Sequence, residues 1–187
     1  MQVAADKLGK LKELLAQPKN IVILSHTNPD GDAIGSSLAW AEILRKLGHN
    51  PTCILPNRYP YYLEFMPSIE SIVVFKDDKD GRAERAVKGA DLIFCLDFHS
   101  LSRLDRLGDL IDENQHAQRV LIDHHLDPSE DFDLMISYPE ASSTCYLVAL
   151  LIEQLLGVEH ISSDMAVNLF VGMMTDTGCF SYNSNQN

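Results

Sequence analysis

Hydrophobic positions along the chain follow two alternating rhythms. Leu8, Leu11, Leu14 and Leu15 recur at helical spacing and Pro18 follows them, which predicts an amphipathic helix ending before the proline. From residue 21 the period changes. The runs IVILS (21–25), PTCIL (51–55), SIVVF (71–75), DLIFCLD (91–97) and RVLID (119–123) are short and mostly apolar, as strands covered on both faces must be. Helical patterns lie between and after them. Ile34, Leu38, Ala41 and Leu44 form one stripe closed by Gly48, segments 82–88, 104–111 and 143–156 repeat the period, and MAVNLFVGMMT follows near the end. This alternation predicts an α/β fold, a mainly parallel sheet with helices on both faces. Linker-like composition falls mainly at DPSEDFD (127–133) and at the polar end SYNSNQN, which reads as a domain boundary or a tail.

A chain of 187 residues with 45% apolar content suits one domain with a sizeable core. Its 27 acidic and 15 basic residues give a formal charge of −12, which speaks against gripping long duplex nucleic acid by phosphate neutralisation. A phosphate ligand would need a locally supplied cation. No stretch has signal-peptide character and none approaches the roughly 18 apolar residues of a membrane span, so a soluble cytoplasmic protein with no membrane partner is expected. Cys53, Cys95, Cys145 and Cys179 form no CxxC pair and read as reduced thiols packed as small apolar residues.

In an open α/β sheet, ligands bind beyond the carboxyl ends of the strands, and here those positions share one chemistry. His26, Asp30 and Asp32 follow the first run, Asp97 and His99 close the fourth, Asp123, His124 and His125 close the fifth, and Asp176 ends the later helical stretch. Taken singly, Asp30-Gly31 is an ordinary turn, Asp32 a helix cap and Asp97 a loop carboxylate. Two adjacent histidines directly after an apolar strand are harder to leave idle. A mixed set of Asp and His without Cys suits Mn²⁺, Mg²⁺, Fe²⁺ or Co²⁺ better than a thiolate zinc site.

Together these residues resemble the DHH phosphoesterases, a family named for the tripeptide found here at 123–125. SHTNPDGDAIGSS, CLDFHSLSRL, LIDHH and VGMMTDTGCFSY occur in the family's motif order. SSTCYLVALLIE (142–153) and TGCFSYNSN (177–185) look closest to the branch of oligoribonucleases that also act as 3′-phosphoadenosine 5′-phosphate phosphatases. The resemblance implies that His26 and Asp30 bind one divalent ion, that Asp32, His124 and Asp176 bind a second, and that Asp97 bridges them, with Mn²⁺ the expected metal. It further implies that His125 meets the substrate phosphate or the water, with Asp123 orienting its neighbours. His99, Arg103 and Ser143 are candidate substrate contacts; Arg103 also reads as an orienting partner for Asp97 or a plain surface ion pair. Members of this branch usually carry a smaller C-terminal domain with a glycine-rich, histidine-containing segment, and 1–187 contains no such stretch. The chain is therefore expected to be the catalytic domain alone.

The implied activity is two-metal hydrolysis of phosphate esters in short oligonucleotides, extending to 3′-phosphoadenosine 5′-phosphate, and a homodimer is left open. The enzymatic alternatives are a cyclic or linear dinucleotide phosphodiesterase or a single-strand DNA exonuclease. The alternatives of other classes are a nucleotide-binding module that has lost catalysis and a structural metal protein. Three smaller expectations complete the reading. Gly31 should let its turn fold tightly between the two aspartates. Ser36, Ser37 and the 142–144 hydroxyls are read as helix caps, with phosphate donation as the alternative. Tyr59, Tyr61 and Tyr62 are read as core residues beside Phe65 and Met66, with base stacking as the alternative.

Overall fold

Six parallel strands form one sheet in the order β3-β2-β1-β4-β5-β6 in the computed structural model, which describes residues 1–182. Residues 183–187, most of the polar end SYNSNQN and the close of TGCFSYNSN, lie outside the described residues. In chain order the elements are α1 (Ala5–Leu14), β1 (Asn20–Leu24), α2 (Gly31–Lys46), β2 (Asn50–Leu55), β3 (Val73–Val74), α3 (Arg82–Lys88), β4 (Leu92–Leu96), α4 (Arg106–Glu113), β5 (Gln118–Asp123), β6 (Leu134–Ser137), α5 (Thr144–Leu155) and α6 (Ser163–Asp176). Short 3-10 turns link several of them.

The central strands β1, β4 and β5 read as apolar runs because each buries both faces. On β1, Ile21 and Ile23 join one core with Trp40, Phe94 and residues of α1, α2, α5 and α6, while Val22 and Leu24 join a second core with α3 and α4. Helices thus cover both faces, as the sequence pattern predicts. Trp40 meets Phe94 edge to face with centroids 5.4 Å apart, tying α2 to the centre of the sheet.

Two strands differ from the sequence expectation. The SIVVF run pairs only at Val73–Val74, with Ser71 and Phe75 in flanking 3-10 turns. β6 was masked by its position. As an edge strand it buries Leu134 and Ile136 and leaves Met135 and Ser137 half-covered, so its four residues lack a continuous apolar run.

The strand order reverses between β1 and β4, which are neighbours although far apart in sequence. Connections leaving these two strands diverge to opposite sides and open a crevice at their carboxyl ends. His26 and Asp97 lie just beyond those two ends, and Asp123, His124 and His125 at the end of the adjacent β5.

Candidate metal centre

Three segments reach the crevice directly from strand ends. His26 follows β1, Asp97 follows β4, and Asp123, His124 and His125 end or follow β5. Asp97 has φ 66, a left-handed backbone that Asp tolerates better than most residues. Asp30 and Asp32 arrive on the start of α2, and Asp176 on the last turn of α6.

The start of α2 separates the roles of its two acids. Asp30 is the N-cap, its Oδ1 accepting the amides of Asp32 at 2.9 Å and Ala33 at 3.1 Å. The cap is therefore Asp30 rather than Asp32. Asp32 is fully buried and turns to another helix, accepting the Thr144 amide at 2.6 Å and the Cys145 amide at 2.8 Å. The amides and positive dipole end of α5 thus hold a carboxylate of the protein itself.

Donor atoms converge in overlapping sets. His26, Asp30 and Asp97 each offer a ligand atom within 4.8 Å of the other two, and so do Asp32, His124 and Asp176. Asp97 also reaches toward the second set, its Oδ1 lying 3.6 Å from His124 Nε2 and its Oδ2 3.5 Å from His26 Nε2. His124 Nε2 further lies 3.9 Å from Asp32 Oδ2 and 3.5 Å from Asp176 Oδ2. These separations exceed hydrogen-bond length. They approach the roughly 3.0–3.5 Å between two donors that share one ion at about 2.1 Å.

Hydrogen bonding at the far side of each imidazole completes the picture. His26 Nδ1 lies 2.8 Å from the Thr27 carbonyl and His124 Nδ1 lies 3.3 Å from the Ala141 carbonyl. A proton on each Nδ1 leaves the Nε2 lone pair facing the carboxylates. His124 Nε2 is buried without a hydrogen-bond partner. An imidazole lone pair and three carboxylates facing one another repel unless a cation is shared among them. The residues therefore fit a divalent ion.

Electrostatics agree with that reading. Burial, reinforced by the charge of Asp97, pushes the Asp32 carboxyl well above its ordinary range. Burial, then the charges of Asp30 and Asp123, does the same to Asp97, and burial raises Asp176. Carboxyl groups that resist ionisation in the bare protein are the ones a cation would stabilise as anions.

His125 stands apart, half exposed at the mouth, with Nδ1 2.7 Å from Asp123 Oδ1. That hydrogen bond raises the imidazole pKa. A ring nitrogen of His125 also lies within 4.8 Å of donor atoms of Asp97 and His124, so geometry allows it at the metals as well as at substrate. His99 faces it with ring centroids 6.0 Å apart. Both line a cavity of about 630 Å³ with His124, Leu126, Pro139, Glu140 and Ala141.

Several sequence expectations change place here. Ser143 is completely buried and caps α5, accepting the Tyr146 amide at 3.1 Å, a position at odds with substrate contact. Its neighbour Thr144 meets the site instead, donating to Asp97 Oδ1 at 3.0 Å. Among the described residues no ion pair joins Arg103 to Asp97, whose oxygens face Thr144, His26 and His124. Arg103 is exposed, and its carbonyl accepts the Thr27 amide at 2.9 Å. Ser36 and Ser37 are buried within α2 and donate to the carbonyls of Asp32 and Ala33, so they neither cap nor reach a ligand. Gly31 has no left-handed φ; its bare Cα admits Thr175 of α6, as Gly35 admits the Asn168 carbonyl and Gly172 admits Cys145 and Asp32. The glycines serve helix approach rather than a turn.

Residues 20–173 match the DHH family, N-terminal domain. The chain is 31% identical over 178 residues to the bifunctional oligoribonuclease and PAP phosphatase NrnA of Thermus thermophilus, covering 95% of this chain and 49% of that protein. It is 28% identical over 184 residues to the cyclic-di-AMP phosphodiesterase PdeA of Listeria monocytogenes, covering 91% of this chain and 27% of that protein. The solved structure of an exopolyphosphatase-related protein from Bacteroides fragilis matches with a TM-score of 0.94 at 38% identity, covering 99% of this chain and 54% of that one. The chain thus spans about half the length of NrnA and of the Bacteroides protein.

Proposed function

The chain belongs to the DHH family, and from that membership we propose that it hydrolyses phosphate esters of short oligonucleotides from an end, and of 3′-phosphoadenosine 5′-phosphate, with two divalent ions. The observation that carries this reading is the position of Asp97, whose two oxygens lie 3.5 Å from His26 and 3.6 Å from His124, one imidazole in each donor set. His26 and Asp30 would hold one ion and Asp32, His124 and Asp176 the other, with Asp97 within reach of both. Oxygen and imidazole donors without a thiolate favour Mn²⁺, with Mg²⁺, Co²⁺ and Fe²⁺ as chemical relatives. When bound, such ions lower the pKa of a water and offset charge on phosphoryl oxygens.

The chain's own residues do the rest. The α5 amides fix Asp32 and the Thr144 hydroxyl fixes Asp97, so the donors keep their spacing without reorganisation. Asp123 accepts a hydrogen bond from Nδ1–H of His125, and the raised pKa of that ring favours the protonated form, whose Nε2–H can donate to a phosphoryl oxygen in the cavity. His99 lines the same mouth. Two divalent ions held there would neutralise the four carboxylates Asp30, Asp32, Asp97 and Asp176, so the field at the site would no longer follow the net charge of −12.

The similarity to PdeA supports a second reading, cleavage of a cyclic or linear dinucleotide. Turnover of pApA, a five-nucleotide RNA, 3′-phosphoadenosine 5′-phosphate, cyclic di-AMP and pyrophosphate by chelator-treated protein given Mn²⁺ separates them. Preference for the short RNA is expected. Equal rates on all five would defeat the assignment, and no hydrolysis at any metal concentration would leave a binding module.

A further inference from the structure

The segment after β2 resolves into two sets of side chains. Leu63 and Met66 are buried in the core shared by α2 and α6, and Ile69 follows them. Tyr61, Tyr62 and Phe65 point the other way, 82%, 58% and 65% exposed. Three exposed aromatic rings within five residues, rather than the core packing the sequence suggests, form an apolar surface that water covers at a cost. The backbone beneath them is ordered by a 3-10 turn, Tyr61–Leu63, and by successive turn hydrogen bonds from Leu63 to Pro60, Glu64 to Tyr61 and Met66 to Leu63. The rings are held by their neighbours' burial.

This shelf is joined to the metal centre's own loop. The Asn57 side chain accepts the Asn28 amide at 2.8 Å, and Asn28 lies between His26 and Asp30. Tyr61 lies four positions beyond Asn57, a reach of at most about 14 Å. The shelf thus lies within a few nucleotides' length of the loop that carries His26 and Asp30.

We infer that Tyr61, Tyr62 and Phe65 form a stacking platform for the unpaired bases of an oligonucleotide whose terminal phosphate lies at the candidate metal centre. The inference rests on the oligonucleotide reading above. Charge selects this occupant and this mode of binding. With a net charge of −12 the chain cannot draw a strand in by broad phosphate neutralisation, whereas aromatic faces accept any base at little electrostatic cost. The one cation on the segment, Arg58, is solvated and 3.9 Å from Glu64, 68% and 56% exposed, a weak pair that a strand phosphate can displace. Tyr61 and Tyr62 meet edge to face with centroids 5.9 Å apart, so the faces of both rings are not consumed by stacking on each other.

The test compares the chain with Tyr61→Ala, Phe65→Ala, the double variant and Tyr61→Trp. Anisotropy of a 3′-fluorescein five-nucleotide RNA reports binding whether or not the strand is cleaved, and Mn²⁺-dependent kinetics report the ratio of kcat/KM for that RNA to kcat/KM for bis-p-nitrophenyl phosphate. Each alanine should weaken RNA binding by roughly 5- to 100-fold and lower the ratio alike, with Tyr61→Trp restoring both. The loss should persist at high salt. Unchanged RNA binding in the double variant overturns the inference, as does a dimer that the double variant converts to monomer, which would make the shelf a subunit contact. Absence of hydrolysis by the unaltered chain would instead sink the phosphoesterase reading and leave the binding assay to judge the shelf.

Discussion

The carboxylate of Asp32 and the amide of Thr144 meet at 2.6 Å across 112 positions of sequence. With the Cys145 amide at 2.8 Å on the other oxygen, α5 locks an acid of α2 in place and spends its N-terminal donors doing so. Amide substitutions at two buried acids should therefore behave differently. Asp97→Asn removes a buried like charge, keeps a partner for the Thr144 hydroxyl and tolerates the left-handed backbone, so chelator-treated protein should gain stability at pH 7.5. Asp32→Asn sets an NH₂ against one of the α5 amides at a cost of about 1–3 kcal/mol. Its melting temperature should fall below that of Asp97→Asn by about 2–12 °C in a thermal-shift experiment with EDTA.

Metal addition should separate the two donor sets from the rest of the fold. Mn²⁺ at 100 times its Kd should stabilise the chain by about 2.7 kcal/mol, a rise of roughly 5–11 °C. His124→Ala and Asp97→Ala should lose most of that shift together with at least about 100-fold of bis-p-nitrophenyl phosphate hydrolysis. Activity undiminished in both variants would refute their proposed places.

The pH dependence of stability should change sign with metal. In chelator-treated protein Asp32, Asp97 and Asp176 have pKa values above the ordinary 3.8. Between 3.8 and those raised values the folded chain binds more protons than the unfolded one, so stability falls as pH rises through that window. The raised pKa of His125 acts in the same direction above 6.5. His49, lowered chiefly by burial, opposes it, losing stability as pH falls below 6.5. With EDTA, melting temperature should climb on acidification from pH 7.5 toward 5.5, more steeply in His49→Gln. With saturating Mn²⁺ it should decline over the same interval, because protons compete for the donors.

The crossing of α2 and α6 should be sensitive to one methyl group. A Cβ at Gly35 would collide with the Asn168 backbone carbonyl, which cannot swing aside as a side chain can. Gly35→Ala should cost about 1–3 kcal/mol. Because Asp32 and Asp176 ride on opposite sides of that crossing, a Mn²⁺ titration should also show weakened binding. Gly9→Ala, with nothing near its added carbon, should show neither effect.

How much was legible follows from where information is stored. Strands buried on both faces, such as β1 and β4, advertise themselves as apolar runs, whereas β6 alternates at a sheet edge and resembles its linker. His26, Asp97 and His124 were visible because each lies within two residues of a strand's end. The division between Asp30 as cap and Asp32 as a buried acid was not, since it depends on one residue of helix register. Nor were the Thr144 and Cys145 amides, because a backbone donor leaves no mark in side-chain identity. The outward turn of Tyr61 and Phe65 was hidden for a related reason. Their buried neighbours Leu63 and Met66 are equally apolar, and only the path of the chain tells them apart.

Asp97 sits with φ 66 at the end of β4, and that conformation narrows what can replace it. Gly, Asn and Asp enter this region cheaply, while other residues face a penalty before any chemistry is counted. Of those three only Asp carries an anion. Backbone and ligand demands therefore select the same amino acid, and a library randomised at position 97 should divide into stable but inert chains, inert chains destabilised by roughly 1–3 kcal/mol, and the parent.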